Sequence, residues 1–251
     1  MSMYMICFSP TGGTEKVAEI LSQKIDVEVQ MIDLCDPKLP NHTFTDEDIA
    51  LIAVPSYGGR VPALAAQRLE RMQANQTRAI LVCVYGNRAY EDTLVELQDV
   101  CENCGFKVIG AVAAIAEHSI AHQFASGRPD ALDTRTLQAF ASKIKEKLAS
   151  STCTTPVLPG SRPYKKAGSG GMIPEVSEQC EACGLCASKC PAEAIDPANP
   201  KHTDSQKCIS CMRCVCICPH QARFLNAKRI QSLGAKVEKL CSDRKENELF
   251  I

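Results

Sequence analysis

Eight cysteines stand in two runs of one form. Cys180, Cys183, Cys186 and Cys190 follow the pattern Cys-x2-Cys-x2-Cys-x3-Cys, and Pro191 comes next. Cys208, Cys211, Cys214 and Cys218 repeat it, followed by Pro219. The offset is 28 residues throughout, and Ala194 and Ala222 fall in the same register. The segment is an internal duplication. Thiolates in such number bind soft metal centres. Zinc sites use two Cys-x2-Cys pairs or Cys/His mixtures, whereas two in-phase runs of this form fit two [4Fe-4S] cubes.

Reach dictates the ligand sets. Three cysteines separated by two residues wrap one cube and supply three thiolates. In runs of this type the fourth cysteine ligates the other cluster. One cluster is then expected on Cys180, Cys183, Cys186 and Cys218, and the second on Cys208, Cys211, Cys214 and Cys190. Cys216 breaks the register, its repeat partner being Ser188, and is expected as a small packed thiol. Cys7 and Cys83 fall mid-strand and are expected in the core. Cys101 and Cys104 close a helix, where the negative end of the dipole gives a thiolate no help.

A second chemistry is written near the N-terminus. Ser9-Pro-Thr-Gly-Gly-Thr14 lies between an apolar run and a helical pattern. Glycines let backbone amides approach a phosphate, hydroxyls add donors, and the helix start favours an anion. The loop holds no Lys or Arg and no Gly-Lys-Ser/Thr, so a monophosphate on neutral donors is expected in place of a triphosphate with magnesium. Two further loops follow later strands: Pro55-Ser-Tyr-Gly-Gly-Arg-Val-Pro62 and Tyr85-Gly-Asn-Arg-Ala-Tyr90. In a doubly wound sheet these three loops converge at the carboxyl ends of neighbouring strands. Aromatic residues and glycines there suit a flat ring, so flavin is the expected ligand.

The elements that must position these loops alternate. Strands are expected at 3–8, 27–32, 49–54, 79–85 and 107–115. Helices are expected at 13–24, 62–72, 91–104 and 133–148, the last with Asp133 as N-cap. Such alternation predicts a parallel sheet with helices on both faces. Residues 150–171 carry three Pro and four Gly and read as a linker or an extended crossing segment. A helix is expected from 226 to 241, then a polar tail. The division is therefore 1–150, a linker 151–173, a cysteine-rich unit 174–225, and a C-terminal helix and tail 226–251.

Residues 1–150 resemble flavodoxins, and 174–225 resemble bacterial two-cluster ferredoxins. The whole chain is similar to the flavodoxin–ferredoxin fusion family of anaerobes, the ferrodoxins, in the motifs quoted and in Glu117-His118-Ser119. The resemblance implies a five-stranded parallel sheet of order 2-1-3-4-5 beside a smaller α+β ferredoxin-like unit, with FMN and two [4Fe-4S] clusters. It implies that Ser9, Thr11, Gly12, Gly13 and Thr14 hold the phosphate. Pro55, Ser56, Tyr57, Gly58 and Gly59 would border the ring, and Tyr85, Gly86, Asn87, Arg88 and Tyr90 its other side. The chain has no Trp, so Tyr57 or Tyr90 must do the stacking. Gly58, or failing that Gly59, is expected to turn its peptide toward the reduced ring.

The implied activity is electron transfer with redox partner proteins, converting between two-electron and one-electron chemistry. The alternative is a flavoenzyme in which the clusters feed FMN and a small molecule is reduced. Glu117, His118 and His122 would then supply protons. Composition narrows the classes. The 251 residues carry a net charge of −1, which argues against a strong nucleic-acid binder. Residues 1–150 hold 14 Lys+Arg against 19 Asp+Glu, and 151–251 hold 14 against 10. Ligated clusters and an FMN phosphate would bring the chain to about −7, so basic partners become plausible through steering. The apolar runs are far short of the ~18 residues of a spanning helix. With no secretion signal in sight, the cysteines read as metal ligands of a cytoplasmic protein and not as disulfides.

Overall fold

A computed structural model describes residues 2–25, 28–150, 154–168 and 171–251. The first unit runs β1 (Met3–Cys7), α1 (Gly13–Ser22), β2 (Val29–Asp33), β3 (Thr43–Phe44), β4 (Ile49–Pro55), α2 (Ala63–Leu69), β5 (Gln73–Ala74), β6 (Arg78–Tyr85), α3 (Thr93–Asn103), β7 (Lys107–Ile115) and α4 (Ala131–Ala149). The cysteine-rich unit follows as β8 (Glu175–Val176), α5 (Leu185–Ser188), α6 (Arg213–Cys216) and β9 (Arg223–Phe224), and α7 (Ala227–Cys241) and β10 (Glu248–Phe250) complete the chain. The expected first residue of the second strand, Val27, lies outside the described residues, as do 151–153 and 169–170 of the linker.

The main sheet has the order β10-β7-β6-β4-β1-β2. Counting only its parallel strands along the chain, this is 2-1-3-4-5. The short β3–β5 pair forms a separate parallel ladder. Both faces are covered because the central strands β4 and β6 are apolar along nearly their whole length. On β4, Ala50, Ile52 and Val54 pack with Leu69, Leu94 and Leu97 of α2 and α3. Ile49, Leu51 and Ala53 face Val17, Leu21, Leu137 and Ile144 of α1 and α4. Each such large side chain stabilises by about 1.5–3 kcal/mol on burial.

Three expectations are corrected. The sheet has six strands, because Glu248–Phe250 adds antiparallel to β7. Leu249 and Phe250 follow the polar run 242–248 directly, and so short a strand is indistinguishable from a tail in sequence. The N-cap of α4 is Asp130, not Asp133. Asp133 is the reciprocal member of that capping box and is buried against Arg128 at 2.5 Å. Cys216 is exposed, not packed, because it ends the single turn of α6. Cys7 and Cys83 are buried as expected.

Residues 154–168 are an extended strap laid over α3. Leu158 enters the core. The amides of Ser161 and Lys165 donate to the two carboxylate oxygens of Asp92, at 2.9 and 2.7 Å. Arg162 pairs with Asp99, which also receives the Tyr164 hydroxyl. These bonds hold Asp99 below the usual carboxylate range, the Arg162 bond most of all. Of the two readings of this proline-rich stretch, the crossing segment is the observed one.

Candidate functional site: a cysteine cavity beside a glycine turn

The duplication is visible in the backbone. Ala182, Gly184 and Glu193 have positive φ in the first half, and Ser210, Met212 and Gln221 have positive φ in the second, each pair 28 residues apart. The loops therefore coil alike around their three cysteines. The fourth cysteine of each run is held alike. Ala194 donates its amide to Cys190 Sγ at 3.3 Å, and Ala222 donates its own to Cys218 Sγ at 3.3 Å.

The fourth cysteine of the first run, Cys190, turns toward the other half. One cavity is lined by Cys208, Cys211 and Cys214 together with Cys190, Pro191 and Ile195. Its empty space, including the opening to solvent, is about 350 Å³. Burial pushes the Cys211 thiol up to about 11 and that of Cys214 to about 12. On the opposite side, His220 Nδ1 lies 3.5 Å from Glu181 Oε1. That contact sets the Cys218 segment beside the first run. Amides of Ala222 and His220 outweigh the effect of burial and hold the Cys218 thiol low.

The Ser9–Thr14 loop leaves β1 and opens α1. Gly12 adopts φ +86 at the N-cap, with open space where a Cβ would stand. The first-turn amides have no intrahelical acceptor. Ser9 Oγ accepts the amide of Glu15 at 3.0 Å, which leaves its own proton free to donate. Thr14 is buried and Thr11 is half-exposed. A phosphate fits this cradle.

Gly58 and Gly59 form the two central residues of a tight turn, with φ +63 and +85, and Tyr57 and Arg60 exchange both backbone bonds across it. Both φ values positive is a type I′ turn, which needs residues without a Cβ penalty. Pro55 ends β4, and the Ser56 hydroxyl is 2.8 Å from that of Thr93. Arg60 grips Glu96 through two bonds of 2.7 Å.

The third loop is tied to the C-terminal segment, which sequence reasoning did not foresee. Asn87 donates to the carbonyls of Cys241 and Asp243 at 2.7 and 2.8 Å. Tyr90 donates to Glu248 at 3.0 Å, and its ring meets that of Tyr85 edge-on at 5.2 Å. Arg88 pairs with Glu91, which Lys165 of the strap also reaches. Gly86 packs on His118. The His118 Nδ1 accepts amides of Ile120 and Ala121, and Glu117 holds both His122 and the Gly127 amide. The three candidate proton donors thus organise their own loop.

The two halves meet at this cysteine cavity. Tyr57 is half-buried as a residue, and its hydroxyl is enclosed. Burial pushes that hydroxyl well up, and the charges of Cys211 and Cys35 add to the effect. Cys35 is raised to about 12, chiefly by burial, with Asp33 adding and Arg213 opposing. Ile209 packs against the core of the sheet unit. The buried Arg68 donates to Leu34 O at 2.5 Å and to Pro191 O at 2.6 Å. Cys211 is therefore near enough for its charge to act on the Tyr57 hydroxyl, while Cys183 of the first run is exposed. Lone arginines such as Arg68 and Arg213 carry no motif, so nothing in the sequence marked them.

This geometry agrees with the known families. The 4Fe-4S binding domain family matches twice, at residues 174–196 and 202–224. A trichloroethene reductive dehalogenase of Dehalococcoides mccartyi is 34% identical over an alignment of 59 residues, covering 18% of this chain and 11% of that protein. The match thus spans about a tenth of the length of that curated relative. Among solved structures, a Streptococcus pneumonia flavodoxin gives a TM-score of 0.41 at 17% identity, covering 59% of this chain and 99% of that one. A Fusobacterium nucleatum flavodoxin bound to flavin mononucleotide gives 0.38 at 15%, covering 58% and 96%. The sheet order itself places the first unit among flavodoxin-like α/β domains, and the matched segments make the second a 4Fe-4S binding unit. The chain thus joins an α/β domain of flavodoxin-like sheet order to a unit that matches the 4Fe-4S binding domain family twice.

Proposed function

We propose that the protein transfers electrons between FMN and two [4Fe-4S] clusters, passing them on to redox partner proteins. One cluster takes Cys180, Cys183, Cys186 and Cys218; the second takes Cys208, Cys211, Cys214 and Cys190. The phosphate of FMN is held by the Thr11–Thr14 amides and the hydroxyls of Ser9, Thr11 and Thr14. Tyr57, Gly58 and Gly59 border the ring on one side and residues 85–90 on the other. FMN, when bound, takes one or two electrons, and a cluster takes one.

The observation that carries this reading is the junction at the cysteine cavity, where Ile209 packs on the core of the sheet unit and Arg68 holds Pro191 of the cavity lining. It supports a second cluster on the side of the flavin loops, with the first cluster as the outer station. The exposed Cys183 of the first run suits exchange with an external partner. The chain's own contribution is positioning: Arg68 and the Arg60–Glu96 pair fix the turn and the cysteine unit against one sheet edge.

The test is anaerobic purification followed by metal, sulfide and flavin analysis and a redox titration read optically and by EPR. About eight iron, eight acid-labile sulfides and one FMN per chain are expected. Zinc in place of iron, or two clusters magnetically remote from the flavin, overturns the reading.

A further inference from the structure

The internal repeat supplies its own control. Ile195 and Arg223 are equivalent, 28 residues apart. Each follows an alanine whose amide donates to the fourth cysteine of its run. Each lies in a short antiparallel pairing, Ile195 with Thr203 and Arg223 with Val176. Both are buried, at 3% and 2% exposure. One half thus encloses an aliphatic side chain where the other encloses a guanidinium.

That guanidinium is incompletely paired. Nη1 donates to Thr203 Oγ1 at 3.0 Å and Nη2 to the Pro200 carbonyl. Nε is buried without a partner. Among the described residues no carboxylate forms an ion pair with Arg223. Arginine does not shed its proton in proteins, so a full positive charge stands enclosed and uncompensated, which is costly. Its partner Thr203 lines the cavity that holds Cys208, Cys211, Cys214 and Cys190, and its charge is felt at Cys208, Cys214 and Cys218. An anionic centre on these thiolates is the missing counter-charge. A four-thiolate [4Fe-4S] centre carries about −2 when oxidised and one more negative charge when reduced.

Resting on the two-cluster reading, we propose that Arg223 is the positioning charge that raises the reduction potential of the second cluster, held by Cys208, Cys211, Cys214 and Cys190. Enclosure alone would make this cluster the harder to reduce, since burial penalises added charge. It is also the cluster on the side of the flavin loops. The fixed cation offsets the penalty at the station that must exchange electrons with the flavin. The first cluster has Ile195 at the equivalent place and meets the Arg223 charge at one ligand, Cys218, against two, Cys208 and Cys214, in the second.

The experiment is EPR-monitored potentiometry of the anaerobic holoprotein as wild type, Arg223→Ile, Arg223→Gln and Arg223→Lys. Arg223→Ile copies the other half of the repeat. Arg223→Gln keeps an amide donor for Thr203 and Pro200 without the charge. Arg223→Lys keeps the charge. The cluster whose signal is altered in Cys211→Ala, a change within the second run, is the second cluster. Its ratio of reduced to oxidised form at fixed potential is expected to fall at least tenfold in Arg223→Ile and Arg223→Gln, which is 59 mV for a one-electron couple. The first cluster should shift less than a third as far, and Arg223→Lys should stay near wild type. Equal shifts of both clusters, no shift in either neutral variant, or a Lys variant shifted as far as Gln overturns the proposal. If Arg223→Ile loses iron, Arg223→Gln decides alone. Lack of two clusters in the wild type defeats the two-cluster reading instead, so the two failures are distinct.

Discussion

Arg68 Nη2 donates to the carbonyl of Pro191 at 2.6 Å, joining α2 of the sheet unit to the residue that follows Cys190. The same guanidinium holds Leu34 O, so one buried side chain fixes the end of β2 and the cysteine unit together.

Arg68→Met should therefore unfasten the two units while keeping the apolar stem. Two buried carbonyls lose their partner, each at about 1–3 kcal/mol. Urea unfolding of the holoprotein should show a loss of this order. Magnetic interaction between the second cluster and the flavin should weaken in the same variant. An unchanged midpoint would show that the contact contributes nothing.

Cys190→Ala should disturb the cluster of the second run and spare that of the first. EPR and iron analysis distinguish the two. Loss of the first cluster alone would reverse the crossed ligand sets. Cys216→Ser should leave both clusters in place, since Cys216 is exposed and out of register.

Thr11→Val and Thr14→Val should weaken FMN more than riboflavin. Each lost hydroxyl is a donor to phosphate, and a hydrogen bond to a charged group is worth about 1.5–3 kcal/mol. The FMN dissociation constant should rise on the order of tenfold or more, read by flavin fluorescence. Equal weakening of both ligands would move the phosphate elsewhere.

Gly58→Ala and Gly59→Ala should differ in degree. Both residues have positive φ, which costs a residue with a Cβ roughly 1–2 kcal/mol. At Gly58 the space beyond is open, whereas a Cβ at Gly59 would strike the Glu91 carboxylate. Gly59→Ala must therefore also displace Glu91 from Arg88 and Lys165. Thermal unfolding should show the larger loss for Gly59→Ala. Potentiometry of the flavin in Gly58→Ala tests whether this peptide turns with reduction.

Much was legible before any coordinates. The cysteine runs announced both the duplication and its chemistry, because ligand spacing is a local property of the chain. The five parallel strands and their helices were equally readable, because each central strand is apolar along nearly its whole length and each helix has its own period. The Ser9–Thr14 loop declared itself by sitting between such elements. Only the tertiary structure decided where residues distant in sequence meet. It turned residues 248–250 from a tail into a sheet edge, made a proline-rich linker a strap on Asp92 and Asp99, and tied Asn87 to the C-terminal segment. It also packed Ile209, from the loop of the second run, on the core of the sheet unit. These outcomes depend on single polar contacts spanning many residues, such as Arg68 with Pro191. A lone arginine carries no periodicity or spacing, so its partner emerges only when the packed core has brought the two chain segments together.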